Sequence, residues 1–209
     1  MKQHLRISLC ALAGFLVWTL CLCFVDVQPI GPHGSEVGFA SLNRFVHKLL
    51  GVHLRLYHVT DWLSLIPLAF MMGFAILGMM QWIQRKHIKC VDFSLLVLGG
   101  FYVVVLAVFL LFEVLAVNYR PILIQGCLEA SYPSSTTLLS MCVLPTTCIQ
   151  LSRRCKQRWL ILALRALLAF MVLGRFLSGV HWFSDIIGGI LLSTALVELY
   201  RASLSFSNT

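Results

Sequence analysis

Apolar residues fill this chain in long blocks, and short polar and basic stretches separate them. A helix that crosses a bilayer needs about 20 apolar residues. Six blocks reach or approach that length: Ile7–Val27, Trp62–Ile83, Phe93–Val117, Ser134–Leu151, Trp159–Ser178 and Phe183–Tyr200. The fourth is short and contains Pro145, which predicts a kink because proline removes a helical hydrogen bond; in a bundle, neighbouring helices satisfy the freed backbone groups. The first block is longer than the roughly 7–15-residue core of a signal peptide and lacks a small-x-small cleavage site, so it reads as a retained helix. Between Gln28 and Asp61, Phe39, Leu42, Phe45, Val46, Leu49 and Leu50 recur at helical spacing, with Arg44 and Lys48 off the stripe. That pattern predicts a short helix, either lying on the outer membrane interface or packed over the bundle.

Composition agrees with a membrane location. Of the 209 residues, 59% are hydrophobic and 11% charged, against about 25% charged in a soluble domain. The expected fold class is all-α: one domain over residues 1–209, a polytopic bundle of about six transmembrane helices. The net charge of +8 sits in short clusters: Lys2 and Arg6; Arg85, Lys86 and Lys89; Arg153, Arg154, Lys156 and Arg158; and Arg201. With six spans all of these fall on one side, and the positive-inside rule makes that side cytoplasmic. Both termini are then inside, in the cell membrane. No basic patch interleaved with aromatics is present, so no nucleic-acid partner is expected. Eight cysteines include no CxxC pair, which suggests neither a disulfide framework nor a zinc site. His33, His47, His53 and His58 follow no ligand spacing, and no metal or cofactor is expected. Arg165 lies two turns inside the fifth block, where snorkelling or pairing within the bundle accounts for it.

Polar groups collect at the opposite, outer ends of the blocks. Asn118-Tyr119-Arg120-Pro121 follows the third, Ser131-Tyr132-Pro133-Ser134-Ser135-Thr136-Thr137 opens the fourth, Gly174-Arg175 ends the fifth, and His181 and Asp185 open the sixth. Each has a chemical use. Two guanidinium groups clamp the oxygens of a phosphoryl group. A helix that starts after Pro133 offers free N–H groups and the hydroxyls of Ser134, Ser135 and Thr136 to an anion. Asp185, four residues after His181, shares its helical face and can hold one imidazole nitrogen, leaving the other to attack phosphorus. Polar groups at membrane helix ends are costly and tend to be functional.

Arg120-Pro121, then Pro133-Ser134-Ser135, then Gly174-Arg175-x5-His181-x3-Asp185 resembles the three-part signature of the type 2 phosphatidic acid phosphatase superfamily: Lys-x6-Arg-Pro, Pro-Ser-Gly-His and Ser-Arg-x5-His-x3-Asp. The resemblance covers Phe93 to Tyr200 well and the rest in layout. It implies that His181 attacks phosphorus to form a phosphohistidine, that Asp185 orients it, and that Arg120, Arg175 and Ser134 bind phosphate oxygens, without a metal. The departures are specific. Glu113 stands where the family has its lysine, Ser135 replaces glycine, Thr136 replaces the histidine that acts as general acid, and Gly174 replaces serine.

General acid catalysis is typically worth about 10²–10⁴-fold, and its loss weighs most on phosphate monoesters. A diphosphate leaves as phosphate, whose second ionisation lies near pH ~6, and needs no positioned acid. The expected activity is therefore a lipid phosphatase or diphosphatase on the outer face, leaning towards a polyprenyl or other lipid diphosphate. The alternatives are a catalytically impaired lipid-phosphate binder or scaffold, and a lipid phosphotransferase. Glu113, two turns before Arg120, is either a substitute acid or a buried carboxylate paired with an arginine or hydroxyl.

Overall fold

The computed structural model describes residues 1–154 and 157–205; Lys156, one of the basic residues named above, lies outside the described residues. Among the described residues there are eight α-helices and no β-strand: α1 Lys2–Phe24, α2 Ala40–Leu50, α3 Leu54–Leu63, α4 Leu65–Arg85, α5 Phe93–Leu115, α6 Ser135–Arg154, α7 Arg158–Leu177 and α8 Phe183–Ser205. Five stretches are long and apolar enough to cross a membrane: α1, α3 with α4 as one run, α5, α7 and α8. The second span differs from its predicted start at Trp62, because helix α3 precedes α4 and turns into it at Ser64.

Helix α6, predicted as a sixth span, is not among these five, and its polarity has a physical reason. At 20 residues it is about 30 Å long, enough to match the others. Yet it lies in the middle of the bundle, against α4, α5, α7 and α8, and no residue from Ser135 to Leu151 is exposed. A helix wrapped by protein has no need of an apolar surface, provided that its polar groups are satisfied. The hydroxyls of Ser140, Thr146 and Ser152 donate to carbonyls one turn back, at 2.7, 2.8 and 2.7 Å. The helix continues through Pro145.

Arg85 and Arg154, from two of the basic clusters, meet at one end of the bundle. Arg85 at the end of α4 and Arg154 at the end of α6 each approach Asp92, before α5, at 3.3 Å. Gln150 donates to Tyr200 Oη on α8 at 2.6 Å and to the Ser94 carbonyl on α5 at 3.0 Å. His4 on α1 meets Glu198 on α8 at 2.6 Å, and α1 packs along the length of α8. The opposite end carries α2, the turn from α7 to α8, and the segment between α5 and α6.

Helix α2 packs over the bundle, against α8. One polar residue fastens it there: Asn43, fully buried, accepts from Ser184 N at 3.1 Å and donates to Ser184 Oγ at 2.9 Å. Leu42, Phe45 and Leu49 face outward and are exposed. Arg44 and Lys48 are exposed as well, so the outward surface of α2 carries both apolar and basic groups.

Candidate active site

The turn from α7 to α8 sets the centre of the site. Arg175 lies in the last turn of α7 and His181 two residues before α8. The chain between them must reverse tightly, and Gly179 allows it with φ +67°; a Cβ there would also stand 1.9 Å from the Gly51 carbonyl oxygen. Asp185, in the first turn of α8, is wholly buried and accepts from Trp182 N at 2.9 Å and Asn118 Nδ2 at 3.3 Å. Trp182 Nε1 donates to the Tyr119 carbonyl at 2.7 Å, and Ser131 N to the Asn118 carbonyl at 2.8 Å. These bonds fasten the segment between α5 and α6, with Arg120 and Ser131, onto the start of α8.

The pairing of His181 with Asp185 is indirect, which corrects the direct contact expected from their spacing. Their nearest atoms, Nδ1 and Oδ2, are 3.9 Å apart. Ser131 lies between them: its Oγ is 3.0 Å from His181 Nδ1 and donates to Asp185 Oδ2 at 2.5 Å. With Nδ1–H donating to Ser131, the lone pair of His181 resides on Nε2, which is buried and has no hydrogen-bond partner. Burial above all, and then the charges of Arg120 and Arg175, hold this imidazole well below its ordinary pKa. It is neutral, as a nucleophile requires.

The two arginines converge on one aromatic ring. Tyr57 of α3 has the Arg175 guanidinium 4.6 Å from its centroid and the Arg120 guanidinium at 5.7 Å. The ring's negative faces ease the approach of two like charges. Each arginine also holds one carboxylate: Arg120 Nη2 meets Glu129 at 3.1 Å, and Arg175 Nη2 meets Asp61 at 2.9 Å. Their remaining Nε and Nη1 atoms are buried without partners. Five buried nitrogens, two on each arginine and one on His181, thus lack an acceptor or donor. Buried polar atoms are normally satisfied; the four arginine N–H groups fit the oxygens of an anion, and the Nε2 lone pair fits an electrophilic centre that such an anion carries.

The other expected phosphate ligands are placed unequally. Thr136 Oγ1 accepts from Arg175 Nη2. Ser135 is partly exposed and borders two cavities. Ser134 is enclosed: its hydroxyl accepts from Thr137 at 3.0 Å and its N–H donates to the Asp185 carbonyl at 3.2 Å. It ties α6 to α8. Glu113 is exposed rather than buried and paired; it borders the same cavity of about 160 Å³ as Arg120, Ser131 and Ser135. A second, more apolar cavity of about 320 Å³ runs between α4, α5 and α6 from Asp61, Ser135 and Thr136 towards Met71 and Tyr102. Gly174, where the resembled family has serine, faces α3, and a Cβ there would come within 2.7 Å of Thr60 Cγ2.

Sequence reasoning missed Tyr57 and Asp61, which enter from α3, and gave Ser131 no task. Only the one-turn spacing of Tyr57 and Asp61 hinted at a shared face.

Residues 114–207 match the family described as the PAP2 superfamily. No curated protein matches the chain. Among solved structures, it is similar to the crystal structure of a transmembrane PAP2-type phosphatidylglycerolphosphate phosphatase from Bacillus subtilis, with a TM-score of 0.61 and 19% identity over 95% of this chain and 96% of that one. At that identity the likeness shows the fold.

Proposed function

We propose that this chain, with a PAP2-superfamily region at 114–207 and the fold of a membrane PAP2-type phosphatase, is a membrane lipid phosphatase or diphosphatase working through a phosphohistidine on His181. The observation that carries this reading is the set of five unpartnered nitrogens on Arg120, Arg175 and His181. Arg120 and Arg175 bind the terminal phosphoryl group and neutralise charge on its oxygens. His181 Nε2 attacks phosphorus as the bond to the leaving oxygen breaks, and that oxygen departs with the bonding pair. The imidazolium formed keeps its Nδ1 proton on Ser131, whose own proton points at Asp185. Water then attacks the phosphohistidine, releasing phosphate and restoring neutral His181.

The leaving group decides the substrate. Thr136, bonded to Arg175, has no accessible pKa near neutrality, so no acid stands at the family's usual place. A lipid diphosphate leaves as phosphate and tolerates this; a monophosphate leaves as an alkoxide and does not. The apolar cavity beside Thr136 suits the lipid chain. The positive-inside rule supports an outer-face site, with the basic end cytoplasmic. The competing reading, a non-catalytic binder of lipid phosphates, is favoured by Glu113 and Thr136.

The test is phosphate release by the purified protein from a matched lipid diphosphate and monophosphate. The diphosphate should react much faster, and Thr136→His should raise the monophosphate rate more, by at most about 10²–10⁴. No release from any substrate, even after the double change Glu113→Lys and Thr136→His, overturns the catalytic reading in favour of the binder.

A further inference from the structure

At the basic end, far from His181, a cleft of about 230 Å³ opens between α6, α7 and α8. Its walls grade from polar to apolar. Ser152 lies two residues from the end of α6, whereas Leu144 and Pro145 lie nine to ten residues in, about 14–15 Å along the axis. Two arginines, Arg165 of α7 and Arg201 of α8, line it.

Their directions converge. Side chains tilt towards the N-terminus of their helix. Helix α7 begins at the basic end, so Arg165, about 10 Å inside, leans outward. Helix α8 ends there, so Arg201 leans inward. Among the described residues Arg165 has no ion-pair partner and is exposed. Arg201 lies 3.5 Å from Glu198, which also holds His4, and its Nε is buried without a hydrogen bond. Glu198 pairs with Arg201 and not with Arg165, so Arg165 leaves the cleft a positive excess. A cation inside the hydrocarbon region is costly unless something compensates it.

We propose that this cleft is a binding site for an anionic phospholipid of the leaflet at the basic end. The phosphate lies between Arg165 and Arg201, and one acyl chain follows Leu144, Pro145 and Leu168 towards the middle of the bundle. Basic pockets between membrane helices bind lipid head groups in this manner. A free phosphate ion satisfies the arginines but leaves the apolar half of the cleft unfilled, so the lipid is the fitting occupant. The site is separate from the proposed reaction and stands whether or not turnover occurs.

The experiment is lipid retention by the full-length protein in detergent, read by native mass spectrometry after exposure to equimolar phosphatidylglycerol and phosphatidylcholine. The protein should retain phosphatidylglycerol preferentially. Arg165→Gln with Arg201→Gln should lower that retention about 30-fold, from about 1 kcal/mol for each basic residue. Leu168→Trp, which fills the apolar half and keeps both charges, should also expel the lipid and guards against misfolding of the double variant. Arg120→Gln with Arg175→Gln, which disables the proposed reaction site, should leave retention unchanged. Inorganic phosphate in large excess should not compete. Equal retention by the wild type and the Arg165, Arg201 double variant overturns the proposal. So does complete displacement by inorganic phosphate, or loss of the lipid only in the Arg120, Arg175 variant.

Discussion

Replacing Ser131 by alanine removes one hydroxyl and with it both bonds that join His181 to Asp185. Asp185 keeps the N–H of Trp182 and the amide of Asn118, so it stays in place. His181 Nδ1 loses its only acceptor and faces a carboxylate at 3.9 Å, beyond hydrogen-bond reach. A hydrogen bond to a charged group is worth about 1.5–3 kcal/mol, and the imidazolium that forms in the transition state is that charged group. At 1.36 kcal/mol per tenfold, Ser131→Ala should lower kcat by about 10- to 150-fold. KM should change little, because Arg120 and Arg175 hold the phosphate. Buried bonds lost in the resting protein should also lower stability, by about 1–3 kcal/mol. Ser131→Thr keeps the hydroxyl and should recover most of the rate. The assay is steady-state phosphate release from a lipid diphosphate, with thermal unfolding in detergent alongside. A wild-type kcat in Ser131→Ala would mean that His181 and Asp185 close directly on substrate binding, and the serine relay would be refuted.

Other consequences follow from the same geometry. Because burial and two arginines lower the pKa of His181, the ring should stay neutral as pH falls through 6.5; a ¹⁵N-histidine NMR titration with a His181 midpoint at or above 6.5 contradicts this. The linked stability is complete above the unfolded histidine value of about 6.5 and is lost as pH falls towards the lower folded value, which thermal unfolding against pH reads out. Asp61→Asn removes a half-exposed carboxylate from Arg175 and should lower KM by up to about fivefold at unchanged kcat, an exposed pair being worth about 0.2–1 kcal/mol; a raised KM shows that Asp61 positions the arginine instead. In intact cells, cysteines introduced at Arg85 and Arg153 on a cysteine-light background should resist an impermeant reagent while one at Glu129 reacts; labelling of position 153 from outside inverts the topology.

What the sequence made legible was whatever depends on local pattern. Apolar blocks of about 20 residues locate the spans, and loop arginines locate one end of the bundle, because both follow from contact with lipid and water. The gathering of Arg120, Arg175, His181 and Asp185 at one end follows from counting spans. Helix α6 was the weakest span for a reason visible only in three dimensions: protein rather than lipid surrounds it, so hydropathy does not apply. Tyr57 and Asp61 were illegible because α3 reads as polar linker before a span, and its approach to the arginines depends on the Thr60–Gly174 contact. Ser131 lay in a serine-rich run whose members look alike; the bonds of Trp182 and Asn118 single it out. Glu113 left two alternatives open, and which way it faces depends on the rotation of α5, which its nearly all-apolar sequence does not specify.

In the proposed reaction a phosphoryl group passes through His181. Rapid acid-free quenching of the protein with a terminally ³²P-labelled lipid diphosphate, followed by peptide mapping, tests it most directly. The wild type should carry acid-labile, base-stable label on His181, and His181→Ala of intact fold should show neither label nor phosphate release. Phosphate release at the wild-type rate by His181→Ala, or turnover with no label on any histidine, would contradict it.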